Sequence, residues 1–461
     1  MRVFRQLSHE LRRASGHRDP LLTYGRRRIE TLAKQSPIAI VQQQPFEEQR
    51  HNRTRLMNGT LFDQDTGKCT VSPVYLRQAC TCNKCVDPSD GQRNFSLAYI
   101  PKDIEIRNHH QDEHGNHVVQ WSKDAPGFDS DHVSVYSVGK VKAEVISHKM
   151  ANRGMYDRYQ QLWNGKRFPL EQTTIPYDDY MSSPESLALA LHYLWRYGLI
   201  FIRDVPPDED SVSKLAERIA LLRNTFYGKT WDVRSKPNAE NVAYTSRYLG
   251  FHMDLLYMKE PPGLQLLHCI ENTCEGGESA FADTFQALYH LARHKPMLYT
   301  QLLGKQITYG YQNGPYSYFD TKNLVSRTLP TAPEKKKRFT QKVDHQTYQL
   351  MRTVDRVYWS PPFISSNLDL AFSGSRRQIE LGQGAMKAFS DALENDGLRV
   401  ETKLPAGTCA IFDNLRIVHA RKAFNTNSGH RWLRGAYLDY QDFVSKAEEL
   451  RSLMPEDAPS I

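Results

Sequence analysis

The 461-residue sequence contains no run of about 18 or more apolar residues, which is the length that a membrane-spanning helix requires. Its most apolar stretch, residues 187–202, is interrupted by His192 and Arg196. The sequence also lacks an internal repeat, and its start does not have the pattern of a secretory signal. We therefore expect a protein without a membrane partner, built from roughly two to three domains or from one large domain with an appendage.

Cysteine is scarce, and the seven cysteines form an odd number, which argues against a disulfide framework. Three of them, Cys80, Cys82 and Cys85, lie within six residues. Thiolates at such short spacing suit a tetrahedral zinc site, and four protein ligands would make that zinc structural. The alternative is a cluster of buried free thiols. For the fourth ligand the residues alone leave five histidines open, at positions 109, 110, 114, 117 and 132.

Acidic residues are too few to balance the basic ones, so the formal net charge is +8. Much of the excess lies in the first 35 residues and in the basic run at residues 335–338. Because the remainder is close to balanced, we do not expect nucleic acid to be a partner. The Arg-rich start is typical of a mitochondrial presequence, although Glu10, Asp19 and Glu30 argue against one. The alternative is a disordered basic tail on a cytoplasmic protein.

Turn and charge patterns divide the chain into four parts. We predict a weakly structured N-terminus at residues 1–58, a zinc-binding domain at 59–145, a connector at 146–180 and the main domain at 181–450. One helix start is well marked, because Ser183 can act as N-cap, Pro184 suits the first helical position and apolar residues recur at helical spacing until Gly198. Residues 199–202 are predicted to form a buried strand.

A histidine and a carboxylate, His252 and Asp254, stand two residues apart in a strand-like apolar run, so we expect them to share one face. A buried carboxylate needs a partner or a metal ion. His419 lies in a later strand-like stretch, and Arg431 follows it by twelve residues. Two histidines and one carboxylate are typical of non-haem Fe(II) oxygenases, and a guanidinium suits the distal carboxylate of a co-substrate. A His-x-Asp pair alone also occurs by chance.

Longer motifs resemble those of the gamma-butyrobetaine and trimethyllysine dioxygenase family, over about residues 70–445. They include FYGKTWDV, YLGFHMDLLYMKEPPGLQLLHC, FDNLRIVHARKAF and RWLRGAY. The resemblance implies an Fe(II)- and 2-oxoglutarate-dependent hydroxylase of carnitine biosynthesis that uses O2, is supported by ascorbate and forms a homodimer. The implied fold is mainly β with flanking helices, in which a double-stranded β-helix, or jelly roll, follows a small zinc-binding β domain. His132, in SDHVSVYS, matches the stretch that closes this zinc domain.

The resemblance also implies roles for individual residues. His252, Asp254 and His419 match the iron ligands of the catalytic centre, while Arg431 and Ser279 match residues at the distal carboxylate of 2-oxoglutarate. A trimethylammonium group cannot donate hydrogen bonds, so aromatic faces recognise it. The residues that match this aromatic cage and its neighbouring amide are Tyr227, Trp231, Asn241, Tyr244 and Tyr437. For each aromatic residue taken singly, the alternative is ordinary core packing.

One stretch departs from the family pattern. Ser360-Pro361-Pro362 stands where the family has an asparagine pair that helps to hold the carboxylate of the substrate, and proline offers no N–H. We therefore expect an altered carboxylate contact, with Arg247 or Lys259 as substitutes. The expected activity is hydroxylation of a small betaine, foremost gamma-butyrobetaine to L-carnitine. The alternatives are a hydroxylase of trimethyllysine or another betaine, and a catalytically inactive zinc-containing binding protein.

Overall fold

A computed structural model of the chain describes residues 59–63, 67–129, 131–137, 160–234, 245–327, 354–365 and 376–455. These residues divide into two compact units, one up to residue 137 and one from residue 160 onward. The predicted basic N-terminus at residues 1–58 and the basic run at 335–338 lie outside the described residues. Within the described ranges, no helix combines the length and the apolar character needed to cross a membrane.

The first unit is built from two small antiparallel sheets. Its strands β1 to β5 are Gly59–Asp63, Gly67–Val71, Ile106–Gln111, His117–Trp121 and Val133–Tyr136, with helix α1 at Pro73–Gln78. β1 pairs with β2, and β4 lies between β3 and β5. Alternate residues of β4 are buried, and Trp121 packs with Leu76 and Ile104 in a small core. This alternation is the pattern that a half-buried antiparallel strand requires.

The second unit holds fourteen further strands among the described residues. Strands β6 to β19 are Thr174–Pro176, Leu199–Arg203, Thr230–Val233, Leu249–His252, Leu264–Asn272, Ser279–Asp283, Gln306–Asn313, Tyr316–Asn323, Val325–Arg327, Val354–Val357, Arg399–Thr402, Thr408–Asp413, Ile417–Arg421 and Arg431–Leu438. Helices α2 to α8 are Tyr177–Ser182, Pro184–Tyr197, Ser211–Glu217, Thr284–His294, Pro296–Leu303, Arg376–Leu393 and Tyr440–Glu449.

Two sheets form the framework of the second unit. The larger has the strand order β6-β7-β17-β10-β19-β8, and the smaller has the order β16-β11-β18-β9. Phe281 and Ile417 of the smaller sheet pack with Leu267, Phe412 and Leu433 of the larger sheet in one buried cluster. An apolar core therefore fills the space between the two sheets. The prediction of a mainly β fold with flanking helices is confirmed.

The predicted helix start at Ser183 is confirmed in α3. The Ser183 Oγ accepts a hydrogen bond of 3.0 Å from the Ser186 N–H, and Pro184 occupies the first helical position. Gly198 ends the helix with φ of 75°, a left-handed conformation that glycine adopts without a steric cost. The chain then enters β7, whose first four residues are buried.

Candidate active site

The register of the smaller sheet brings two predicted iron ligands together. His252, the last residue of β9, pairs with His419 in β18, and their ring centroids are 4.2 Å apart. Asp254 follows two residues later, with its Oδ1 3.3 Å from the His252 Nε2. One ligand atom from each of the three side chains lies within 4.8 Å of the other two. The three residues therefore form a group that can hold one metal ion.

The prediction that His252 and Asp254 share a strand face is wrong, because β9 ends at His252. The Met253 N–H donates to the Trp359 carbonyl at 2.8 Å, and Leu255 adopts a left-handed φ of 59°. The resulting turn brings the carboxylate to the histidines. The Asn414 side chain holds this turn, since it accepts from the Asp254 N–H at 2.9 Å and donates to the Asp254 carbonyl at 3.0 Å.

Two side chains of the larger sheet hold the carboxylate of Asp254 in place. Its Oδ2 accepts hydrogen bonds of 2.7 Å from the Gln265 Nε2 and 2.7 Å from the Tyr437 hydroxyl, two residues that face each other across β10 and β19. Oδ1 therefore remains for a metal ion, with Oδ2 held by partners that orient the ligand. Sequence reasoning missed Gln265, although a polar side chain inside the apolar run GLQLLHC was a usable signal.

The protonation states suit metal binding. Burial, reinforced by the charge of His252, lowers the pKa of His419 to about 3, so its ring is neutral at pH 7. Burial tends to raise the pKa of Asp254, but the adjacent rings of His252 and His419 and the hydrogen bond from the Tyr437 hydroxyl outweigh it and hold that pKa well below its usual range. The His252 Nδ1–H donates to the Gly250 carbonyl at 2.9 Å, which leaves the Nε2 lone pair for a ligand.

The cavity at the three ligands also reaches Ser279 and Arg431. Arg431 is only 8% exposed, and its Nε donates a long hydrogen bond of 3.4 Å to the Gly277 carbonyl. Among the described residues no carboxylate lies within ion-pair distance of Arg431. A buried cation without a charged partner is costly, so this guanidinium is suited to an anion that enters the cavity. The residues present thus fit both Fe(II) and an anionic co-substrate.

Of the predicted aromatic cage, Trp231 lines this cavity. Its ring stacks on Tyr437 with centroids 3.9 Å apart and planes at 19°. A Cβ at position 435 would lie 2.3 Å from the indole ring, so only glycine permits this packing. Tyr227 packs instead on Phe226, with centroids 4.1 Å apart, and is absent from the cavity lining. Asn241 and Tyr244 lie outside the described residues.

Ser360, Pro361 and Pro362, which depart from the family pattern, directly follow a residue that contacts the turn between His252 and Asp254. Trp359 accepts the hydrogen bond from Met253, and the next residue, Ser360, is fully buried. Its hydroxyl has no hydrogen-bond partner among the described residues. Pro361–Phe363 forms a single 3-10 turn. The two basic residues considered as substitutes, Arg247 and Lys259, are exposed and do not line the cavity.

The first unit contains a second group of metal-ligating side chains. The His132 Nε2 lies 3.7, 3.4 and 3.4 Å from the sulfurs of Cys80, Cys82 and Cys85. Zn–S bonds of about 2.3 Å and a Zn–N bond of about 2.0 Å at a tetrahedral angle place sulfur and nitrogen about 3.5 Å apart. The four residues therefore have the spacing of a tetrahedral zinc site.

The surroundings of His132 support this geometry. Its Nδ1 donates to the Asp124 Oδ2 at 2.7 Å, which leaves Nε2 toward the sulfurs. Burial, only partly opposed by Asp124, lowers the pKa of His132 and favours the neutral imidazole that binds metals. Two of the other histidines considered as the fourth ligand, His109 and His117, hydrogen-bond to each other instead. The His109 Nε2 and the His117 Nδ1 lie 2.8 Å apart.

One family model matches more than half of the sequence. The model described as "Taurine catabolism dioxygenase TauD, TfdA family" matches residues 164–437, which include the three candidate iron ligands and Arg431. The chain belongs to this family.

Three curated relatives of this family member extend the match into the first unit. Dioxygenase str8 of Strobilurus tenacellus is 30% identical, over 82% of this chain and 84% of the relative. Gamma-butyrobetaine dioxygenase of Pseudomonas sp. (strain AK-1) is 28% identical, over 82% and 90%. Mitochondrial trimethyllysine dioxygenase of Mus musculus is 25% identical, over 82% of both chains. The resemblance stated from the motifs is confirmed, as is the prediction of a 2-oxoglutarate-dependent dioxygenase.

Proposed function

We propose that this TauD, TfdA family member hydroxylates a trimethylammonium substrate with Fe(II), 2-oxoglutarate and O2, and that the substrate is gamma-butyrobetaine, which becomes L-carnitine. The observation that carries the proposal is one cavity lined by His252, Asp254, His419 and the buried Arg431. We further propose that the two sheets around this cavity form a double-stranded β-helix.

Each of these residues has a defined task in the proposed reaction. His252, His419 and the Asp254 Oδ1 hold Fe(II), while Arg431 binds the distal carboxylate of 2-oxoglutarate with the help of Ser279. The bound iron and co-substrate supply the oxidising power that attacks an unactivated C–H bond. The protein orients the reactants and excludes water, and the apolar lining by Leu249, Leu267 and Leu433 serves that exclusion.

The trimethylammonium end of the substrate is supported by Trp231, because an indole face attracts a quaternary ammonium through its π electrons. The substrate class is supported by relatives named gamma-butyrobetaine dioxygenase and trimethyllysine dioxygenase. Ser360 and the two following prolines favour a second candidate, trimethyllysine or another betaine, since they remove the family's amide contact to the carboxylate. In line with a relative named mitochondrial trimethyllysine dioxygenase, we propose a mitochondrial location. We also propose a homodimer, which the resemblance of the motifs implies.

The test of this function is turnover by the full-length protein with Fe(II), 2-oxoglutarate and ascorbate. We expect gamma-butyrobetaine to yield hydroxylated product and an equal amount of succinate, both measured by mass spectrometry, while trimethyllysine and a substrate-free control yield little product. Product from trimethyllysine alone would favour the second candidate. An iron-loaded protein that turns over neither compound would contradict the proposed substrate.

We also propose that the first unit holds a structural zinc ion on Cys80, Cys82, Cys85 and His132. Replacing Cys85 by alanine should lower bound zinc from about one ion per chain to less than about 0.1, because a structural site fails when one of four ligands is lost. Zinc content by mass spectrometry and protease resistance of the first unit measure this. Cys409→Ala is the matched control, since Cys409 is a buried free thiol of the second unit. Equal zinc in both variants would refute the site.

A further inference from the structure

Arg77 is a fully buried cation beside the four proposed zinc ligands of the first unit. It lies on α1, and 0% of its surface is exposed. Its Nη1 donates a hydrogen bond of 3.3 Å to the Cys85 sulfur, and its Nε donates one of 2.6 Å to the Asp124 Oδ1. The guanidinium therefore bridges a sulfur ligand and a buried carboxylate.

The same carboxylate also holds the histidine ligand. The Asp124 Oδ2 accepts from the His132 Nδ1 at 2.7 Å, while the Oδ1 accepts from Arg77. Arg77 thus reaches the proposed zinc site by two routes. One route is direct, through the sulfur of Cys85, and the other passes through Asp124 to the imidazole. Hydrogen bonds of this kind fix the orientation of metal ligands and are typically worth 10- to 100-fold in metal affinity.

Two aromatic rings keep the guanidinium in this position. Its central carbon lies 4.5 Å from the ring centre of Phe95 and 4.5 Å from that of Phe128. Phe128 in turn packs edge-on against the His132 ring, with centroids 5.0 Å apart. A guanidinium within about 6 Å of a ring centre is attracted by the π electrons. The two rings therefore stabilise Arg77 in the orientation that reaches Cys85.

The charge of Arg77 suits a zinc site of this composition. A zinc ion bound by three thiolates and a neutral imidazole carries one net negative charge. Burial of that charge is costly unless a cation or hydrogen-bond donors face it. Arg77 supplies both, because its guanidinium is always protonated and one of its N–H groups donates to Cys85. A donor at a thiolate also withdraws electron density from the sulfur.

We propose that Arg77 is a positioning residue of the zinc site, which retains the ion by donating to the Cys85 thiolate and by fixing His132 through Asp124. This inference rests on the zinc ion proposed for the first unit. Arg77 raises the affinity of the four ligands for zinc and sets the electron density on the Cys85 sulfur, in addition to its packing against the aromatic rings.

The first test is competition for zinc between a chromogenic chelator and the full-length protein. In Arg77→Met, which replaces the guanidinium by an uncharged side chain, we expect the Kd for zinc to rise about 10- to 100-fold. Arg77→Lys should recover part of the affinity, because it keeps the charge without the planar fork that reaches two partners. Arg107→Met is the matched control, since Arg107 is exposed on β3 of the same unit, and it should bind zinc like the unmodified protein.

A second measurement separates this role from a purely structural one. Cobalt(II) in place of zinc gives a charge-transfer band from sulfur to metal, and its energy depends on the electron density of the thiolates. Loss of the donor at Cys85 should move this band to lower energy in Arg77→Met, with partial return in Arg77→Lys. A general loosening of the unit would weaken the band without moving it.

An unchanged Kd for zinc in Arg77→Met, or a band that weakens without moving, overturns the inference while the zinc site itself stands. If Arg77→Met does not fold, Arg77→Lys decides, because a Kd and a band equal to those of the unmodified protein would overturn the inference as well. An unmodified protein that binds neither zinc nor cobalt overturns both the inference and the proposed zinc site.

Discussion

Replacing His252 by leucine should abolish iron binding and turnover. The side chain is 3% exposed, and its Nε2 is one of three ligand atoms of the candidate iron site. Residues that only orient a metal ligand are typically worth 10- to 100-fold in metal affinity, so loss of a ligand itself should weaken Fe(II) binding by at least about 100-fold. Without iron, hydroxylated product and succinate should both fall to background. Iron content and coupled turnover measure the two effects.

The matched control for this experiment is His268→Leu. His268, in β10, is a fully buried histidine whose two ring nitrogens have no hydrogen-bond partner among the described residues. Burial lowers its pKa to about 4, so the ring is neutral at pH 7 and an apolar side chain can replace it without stranding a polar partner. This variant should retain iron and most of the activity. Equal loss of iron in both variants would contradict the assignment of His252 as a ligand.

Of the substitutions discussed for this protein, replacing Asp283 by alanine should lower the free energy of unfolding most. The Asp283 and Arg416 side chains are 0% exposed, and the Arg416 Nη2 lies 2.8 Å from the Asp283 Oδ2. The Asp283 Oδ1 also caps α5 by accepting from the Phe285 N–H at 3.0 Å. Removal of one partner leaves a buried charge uncompensated, so we expect the free energy of unfolding to fall by about 3–5 kcal/mol. Urea denaturation followed by tryptophan fluorescence measures this.

An exposed ion pair provides the comparison. Lys387 and Asp391 lie one turn apart on α7, 2.7 Å from each other, with side chains 76% and 58% exposed. Asp391→Ala should change the free energy of unfolding by no more than about 0.5 kcal/mol, because water already solvates both charges. A similar effect of the two substitutions would mean that the buried pair of Asp283 and Arg416 contributes no more than a surface pair.

The buried pair also has a functional consequence. Arg416 immediately precedes β18, the strand that carries His419 and Arg421. It further donates to the backbone carbonyls of Gln161 and Arg196, at 2.8 and 3.1 Å. These contacts fix the entry of β18 into the sheet, and with it the register that pairs His419 with His252. Loss of Asp283 is therefore expected to weaken Fe(II) binding as well as stability.

The sequence by itself determined those features that depend on residue type and short spacing. The start of α3 followed from Ser183 and Pro184, because capping is a local interaction. Three cysteines within six residues indicated a metal site for the same reason. His252, Asp254 and His419 could be named because motifs keep their residue types even when the partners lie far apart in the chain. The cage was predicted in the same way, with Trp231 found at the cavity and Tyr227 outside it.

Only the tertiary structure decided how the carboxylate of Asp254 is held. Asp254 and the Tyr437 hydroxyl are 183 residues apart in sequence, and their 2.7 Å hydrogen bond depends on the packing of one sheet against the other. The turn after β9 replaced the expected strand because Met253 bonds to Trp359, a contact that no local pattern records. Gln265 gained its position opposite Tyr437 from strand register. Register is set by the summed burial of many side chains, so it can be read only once the sheets are formed.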